Sequence, residues 1–238
     1  MSPMNDAVKP CVVFDLDDTL FLERDYVRSG FAAVGRWVRM NFGVRNFANV
    51  AWSLFEMGHR SNVLDMSAKQ VGLPQTPDLI HAMVAVYRSH LPQISILPDA
   101  AKCLARCRDI ALLALITDGP LDSQKQKIRV LQLEPMLELI VFTDAWGSGF
   151  SKPHARAFEL VQSRLRPADG WYVYVADNPV KDFIAPAALG WDTVRVRRPR
   201  GLHATREAQR HEAATLEMPD LEGLYDFVAS RGMRSEVG

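Results

Sequence analysis

At four places in this chain an apolar run ends in groups that can do chemistry. In "VVFDLDDTL" the apolar residues lead straight into Asp15, Asp17 and Asp18. Residues two apart on extended backbone point to the same side, so Asp15 and Asp17 converge if the extended geometry persists. Two like charges a few ångströms apart repel by about 4 kcal/mol at an effective dielectric of about 20, so the pair needs a cation or a shared proton. Clustered hard oxygens favour Mg2+. "ITDG" closes a second run with the Thr117 hydroxyl, Asp118 and Gly119, where side chain and backbone N–H groups can hold phosphate oxygens. "GSGFSKPHARAFEL" sets Lys152 just ahead of a helical segment, with Pro153 expected in its first turn. "ADNPVKD" ends a further run with Asp177 and Asp182. Each residue alone reads as a cap, a turn residue or a solvated charge, but their recurrence at the ends of consecutive strands is harder to explain that way.

The elements that must position these groups can be read from the apolar pattern. Runs at 11–15, 111–118, 139–144, 171–177 and 191–196 are nearly continuous in apolar residues, as strands buried on both faces of a parallel sheet are. Helical segments at 99–108, 121–131, 154–165 and 180–189 alternate with them, which predicts βαβ crossovers in a doubly wound α/β sheet. The first crossover breaks the pattern. Residues 21–97 hold only amphipathic helical stretches, divided by "FGVRN" and "VGLPQTP", and read as an all-helical domain inserted after the first strand. The expected division is therefore a core of 1–20 and 98–238 with a helical insert of 21–97. Such an insert covers the edge where open α/β sheets bind ligands. The segment 200–220 reads as loop or helix, and "LEGLYDFV" as a closing helix.

Bulk properties narrow the function. The 238 residues are 48% hydrophobic and carry zero formal net charge, so no strong field calls for nucleic acid or an anionic membrane. "RVRRPR", 195–200, is expected to be a solvated strand end and loop, since no aromatic residues interleave with its arginines. Cys11, Cys103 and Cys107 form no paired framework and no zinc site, and read as free thiols in a reducing compartment. The first ten residues lack an apolar signal core and no run approaches the roughly 20 residues of a membrane span, so the expected location is the cytoplasm.

Together these motifs resemble the haloacid dehalogenase superfamily, in its phosphatase-like branch with a helical cap, over nearly the whole chain. DxDxT is Asp15, Asp17 and Thr19; the strand-ending hydroxyl is Thr117; the lysine before a helix is Lys152; the carboxylate pair is Asp177 and Asp182. Ala176 stands where many relatives have Gly. The resemblance implies that Asp15 is a nucleophile toward phosphorus and that Asp17 is the acid that protonates the leaving alcohol and the base that activates water. Relatives that remove halide lack an acid at the second position, so Asp17 argues for phosphoryl transfer. Mg2+ would be held by Asp15, the backbone carbonyl of Asp17 and Asp177, while Asp182 orients a metal-bound water or Lys152. Thr117, the backbone at Asp118 and Gly119, and Lys152 would hold the phosphoryl oxygens. Arg24, His59 and Arg60 are the insert residues to consider against the leaving group, with Arg24 expected at the substrate. The implied activity is hydrolysis of a small phosphorylated metabolite; a phosphomutase of the same fold and a non-catalytic receiver-like module are the alternatives. Oligomeric state is not legible.

Overall fold

The computed structural model describes residues 9–167 and 170–232. Its sheet holds six parallel strands, β1 (Cys11–Phe14), β2 (Leu112–Thr117), β3 (Leu139–Phe142), β4 (Tyr172–Ala176), β5 (Asp192–Val196) and β6 (Leu216–Met218), in the order β3-β2-β1-β4-β5-β6. β1 lies in the interior, with Phe14 in register with Leu115 on one side and Val175 on the other. Alternation explains its unbroken apolar run. Val12 and Phe14 pack with Leu113, Leu115, Val173 and Val175 on one face, while Cys11 and Val13 pack with Ala114, Ile116 and Tyr174 on the other. Every one of these residues is buried. At roughly 1.5–3 kcal/mol per buried large apolar side chain, this strand is a rigid base for the carboxylates at its end.

Helices cover both faces, as a doubly wound sheet requires. Ahead of them in the chain, α1 (Glu23–Phe42), α2 (Phe47–Glu56), α3 (Val63–Gln70) and α4 (Pro77–Ser89) fill the crossover between β1 and β2. On one face of the sheet lie α5 (Pro98–Ile110), α6 (Leu121–Val130) and, at the chain's far end, α10 (Leu224–Gly232); on the other lie α7 (Arg156–Arg164) and α9 (Ile184–Ala188), which comes after the single turn α8 (Pro179–Asp182). The crossover helices bury an apolar cluster of their own, including Phe31, Val34, Phe47, Leu54 and Met83, distinct from the two against the sheet. Gly30 lets α1 approach α4: a Cβ there would run into the Tyr87 ring. α4 starts where the sequence signals it, at Pro77 behind Thr76, whose hydroxyl accepts the Leu79 N–H at 3.4 Å.

Four expectations change. Pro153 lies in the turn ahead of α7, not in the first turn of that helix, and its bond to Lys152 is cis. The segment 180–189 forms two short helices hinged at Phe183 in place of one. The 200–220 segment runs mostly as turns and ends in β6, which extends the sheet by one strand. The arginine-rich stretch is partly interior. Arg195 is fully buried, donates to the carbonyls of Asp177, His203 and Arg206, and pairs with Glu217 at 3.1 Å. Arg198 donates to the Thr19 carbonyl and pairs with Asp99 at 2.9 Å. A guanidinium offers five donors in a fixed fork, which suits it to gathering carbonyls from converging loops. All three cysteines are free and buried. Among the described residues no helix is long and apolar enough to cross a membrane.

Candidate active site

Because the strands are parallel, the residues just past β1, β2 and β4 emerge on one edge of the sheet. Asp15 continues the pairing of β1 by one bond, its N–H donating to Val175 at 2.9 Å. The chain then turns at Asp18, whose φ of +53° is one an Asp tolerates better than most residues. Asp18 is not solvated. It is 1% exposed and its carboxylate accepts the N–H groups of Glu23 at 2.8 Å and Leu202 at 2.6 Å, so it caps backbone on two sides of the site. Burial pushes its carboxyl up to about 6 despite those bonds.

Lys152 is at the centre. Its ammonium meets Asp15 at 2.5 Å, Asp182 at 2.8 Å and the Tyr174 hydroxyl at 2.9 Å, with no solvent exposure of its side chain. Burial alone would lower its pKa, but Asp15 and Asp182 outweigh it and hold the ammonium well above its usual value. Asp15 is pushed up to about 6, burial dominating over the pull of Lys152. Asp182 is fully buried and also accepts the Asn178 N–H at 3.0 Å. Asp177 makes no side-chain hydrogen bond or ion pair among the described residues, and burial together with Asp182 and Asp15 drives its carboxyl well above the usual range.

Asp15, Asp177 and Asp182 offer carboxylate oxygens that all lie within 4.8 Å of one another. One ammonium serves two of these anions and none serves Asp177. That surplus of buried negative charge, presented as hard oxygens, fits a divalent cation of the magnesium type. The third carboxylate of this cluster is Asp182; the Asp17 side chain turns elsewhere. Its oxygens accept from the Lys127 ammonium at 2.6 Å and from Gln124 Nε2 at 3.3 Å. Lys127 is itself buried, with its ammonium 4.1 Å from the centre of the Tyr26 ring.

Thr117 is buried at the end of β2. The Asp118 carboxylate accepts from Thr143 at 2.8 Å, from the Lys152 N–H at 3.2 Å and from Lys181 at 2.8 Å. Burial opposes its ionisation, yet Lys152 and Lys181 hold its pKa below the usual carboxylate range. Gly119 has φ +106°, a conformation that favours glycine, and a Cβ there would push on the end of the Gln124 side chain at 2.7 Å. Arg24 is not among the residues lining the cavity over Asp17; it pairs with Glu56 and lies 5.5 Å from the Trp52 ring centre. His59 is exposed, while Arg60 bonds the Phe55 carbonyl at 2.6 Å and stacks on the Phe55 ring.

Above the carboxylates a cavity of about 40 Å³ is bounded by Asp15, Asp17, Glu23, Asp118, Asp177 and Lys181. Beside it a cavity of about 360 Å³ is lined by Asp17, Glu23, Tyr26, Gln124, Lys127 and Lys181, among others. Burial and the nearby Asp17 push the Glu23 carboxyl up to about 7. Sequence reasoning misses Lys127, Gln124, Lys181, Tyr174 and Glu23. A signal exists for two: Gln124 and Lys127 lie on the face of α6 that carries Ile128, where polar side chains have to be accounted for.

A family model for haloacid dehalogenase-like hydrolases matches residues 9–190, well over half of the chain, and the chain belongs to that family of enzymes. Among curated proteins it is similar to a glyceraldehyde 3-phosphate phosphatase of Methanocaldococcus jannaschii, 24% identical over 234 residues that cover 91% of this chain and 96% of the relative. It is also similar to a ribulose-1,5-bisphosphate 5-phosphatase of Halopiger xanaduensis, 24% identical over 88% of this chain and 92% of the relative. Among solved structures, L-2-haloacid dehalogenase from Xanthobacter autotrophicus shares the fold, with a TM-score of 0.61 at 21% identity over 93% of this chain and 99% of that one.

Proposed function

We propose that the chain is a magnesium-dependent phosphatase that hydrolyses a small phosphomonoester through an aspartyl-phosphate. One observation carries this reading: two carboxylates at the end of one rigid strand are held in different company, Asp15 by Lys152 and Asp17 by Lys127 and Gln124. Asp15 attacks phosphorus as the ester oxygen leaves, and Asp17 gives that oxygen its proton. Asp17 then takes a proton from the water that attacks the aspartyl-phosphate, releasing inorganic phosphate and restoring Asp15. Lys152, Lys181, Thr117 and the amides after it neutralise and align the phosphoryl oxygens, which supplies most of the catalysis in such transfers. Asp15, Asp177 and Asp182 would hold Mg2+, with the Asp17 carbonyl as a further ligand; when bound, it offsets their charge and that of the phosphoryl group. The phosphatase names of two relatives support the same reaction class.

The helices of 21–97 act in this reading as a cap that excludes water and meets the leaving group. Residues from α1 and α4 in the wall of the 360 Å³ cavity support that role, and the small phosphorylated compounds in the names of the relatives favour a metabolite over a phosphoprotein. The three free, buried cysteines support a reducing compartment, the cytoplasm. The direct test is a panel of phosphorylated metabolites assayed for phosphate release with Mg2+ and with a chelator. At least one should be hydrolysed only with the metal; release equal in both conditions would overturn the metal dependence.

A further inference from the structure

His203, in the turns after β5, borders the cavity of about 40 Å³ over the carboxylates, in company with Asp15, Asp177, Asn178 and Lys181. It also borders a cavity of about 460 Å³ with Glu23, Arg60, Leu202 and Arg206. Glu23 and His203 are common to both walls, so the two spaces adjoin there. The His203 ring is half-buried and makes no hydrogen bond or ion pair among the described residues. Burial and the nearby Lys181 ammonium hold its imidazole below the usual histidine range. The backbone that carries the ring is firmly held. The Leu202 N–H donates to Asp18 at 2.6 Å, and the His203 carbonyl accepts from Arg195 at 3.0 Å and from the Arg206 N–H at 3.1 Å. The same guanidinium donates to the Asp177 carbonyl at 3.2 Å. A buried guanidinium is costly unless its donors are engaged, and this one, fully buried, ties the turn that presents His203 to the strand end that presents Asp177.

The wall of the small cavity is rich in acceptors, since Asp15, Asp17, Glu23, Asp118 and Asp177 all contribute carboxyl groups. A phosphoryl group brings only acceptors of its own, so its oxygens need donors. Lys181 supplies some, but its ammonium also serves Asp118 at 2.8 Å. An imidazole carries at least one N–H in either protonation state, and no group among the described residues takes it from His203. The size of the space agrees. At roughly 10–15 Å³ for each water-sized group, about 40 Å³ has room for three, the number of oxygens on a phosphoryl group. Asp15 lines the same small space, so a donor in that wall meets the phosphoryl oxygens and not the far end of the leaving group.

Resting on the phosphatase reading, we infer that His203 is a phosphoryl-binding residue, its imidazole N–H donating to an oxygen of the phosphate ester and of the inorganic phosphate released. The test titrates the magnesium-loaded protein with inorganic phosphate by calorimetry, for the wild type and for His203→Ala, His203→Asn and His203→Gln. His203→Ala should bind phosphate about 10-fold more weakly or worse, since it loses a hydrogen bond to a charged group. The better of the Asn and Gln variants, whose amides place an N–H near one or the other ring nitrogen, should restore most of that loss. All three should keep the wild-type Tm without phosphate, because the ring has no hydrogen-bond partner in the protein to lose. Phosphate binding by His203→Ala as tight as that of the wild type would overturn the inference, while continued hydrolysis of esters leaves the phosphatase reading intact. Weaker binding that comes with a lowered Tm and is restored by neither amide would also overturn it, by making the ring structural. A wild-type protein that neither binds phosphate nor releases it from any ester of the panel would overturn both readings together.

Discussion

Asp17 and Glu23 sit in one cavity wall, and what surrounds each determines what its replacement does. In the proposed mechanism Asp17 serves as both acid and base, so Asp17→Asn should lower turnover of alkyl phosphates by about 10²–10⁴-fold. With 4-nitrophenyl phosphate, whose leaving group needs no proton, the same variant should show a burst of nitrophenol and then slow turnover, read by stopped-flow absorbance. Glu23 concerns stability. Its carboxyl is raised from 4.5 to about 7 in the folded chain, so the folded state binds this proton more tightly than the unfolded state. Stability is therefore lost as pH rises from about 4.5 to about 7, and the loss is complete above that. Glu23→Gln should be the more stable protein at pH 8 in chelator, on the order of 1–3 kcal/mol, with the gap closing near pH 4 in urea titrations. Asp15, Thr117, Lys152, Asp177 and Asp182 are legible in the sequence because each adjoins a recognisable element. For Lys127 the sequence offers only its place on the apolar face of α6; its pairing with Asp17, 110 residues away, follows from no local pattern.

The elements are legible in proportion to how fully they are buried. β1, β2 and β4 are apolar on both faces and stand out as unbroken runs; β6, Leu216–Met218, has no buried residue and an exposed Glu217 at its middle, and gives no such signal. The break at Phe183 has a local cause, since Pro186 cannot donate to the Asp182 carbonyl four residues back, whereas the burial of Arg195 depends on tertiary partners. Arg195 meets carbonyls from Asp177, His203 and Arg206, three positions that only the fold brings together. The turn after β1 carries a prediction at this scale. Asp18→Ala removes the acceptor for the Glu23 N–H at the start of α1 and for the Leu202 N–H in the loop after β5, so it should cost about 2–4 kcal/mol in equilibrium unfolding. Asp18→Asn keeps one carbonyl oxygen and tolerates the same φ, and should cost less.

For the whole molecule, topology does what no single motif can. A parallel sheet with β1 between β2 and β4 brings three strand ends to one edge, and the helices inserted after β1 lie over it. The fold class is legible in the alternation of apolar runs; which side chains of the crossover helices line the cleft is not, and Arg24, which pairs with Glu56 and is not among the residues lining the cavity over Asp17, is the example. On the proposed reading, the carboxylate surplus ties the metal to stability. Mg2+ should raise the Tm, adding about 1.4 kcal/mol for each tenfold excess over its Kd. Asp177→Asn should abolish that rise while leaving the metal-free protein as stable or more so, since it relieves an unpaired buried charge. Scanning calorimetry with and without Mg2+ reads both.

The central claim is that Asp15 is the nucleophile, and Asp15→Asn tests it most directly. The amide is nearly isosteric, so the variant should keep its circular dichroism spectrum and unfold cooperatively. Its magnesium-dependent phosphate release, on whichever phosphomonoester the wild type hydrolyses, should fall on the order of 10⁴-fold or more. A folded Asp15→Asn protein that releases phosphate at a rate near that of the wild type would contradict the account.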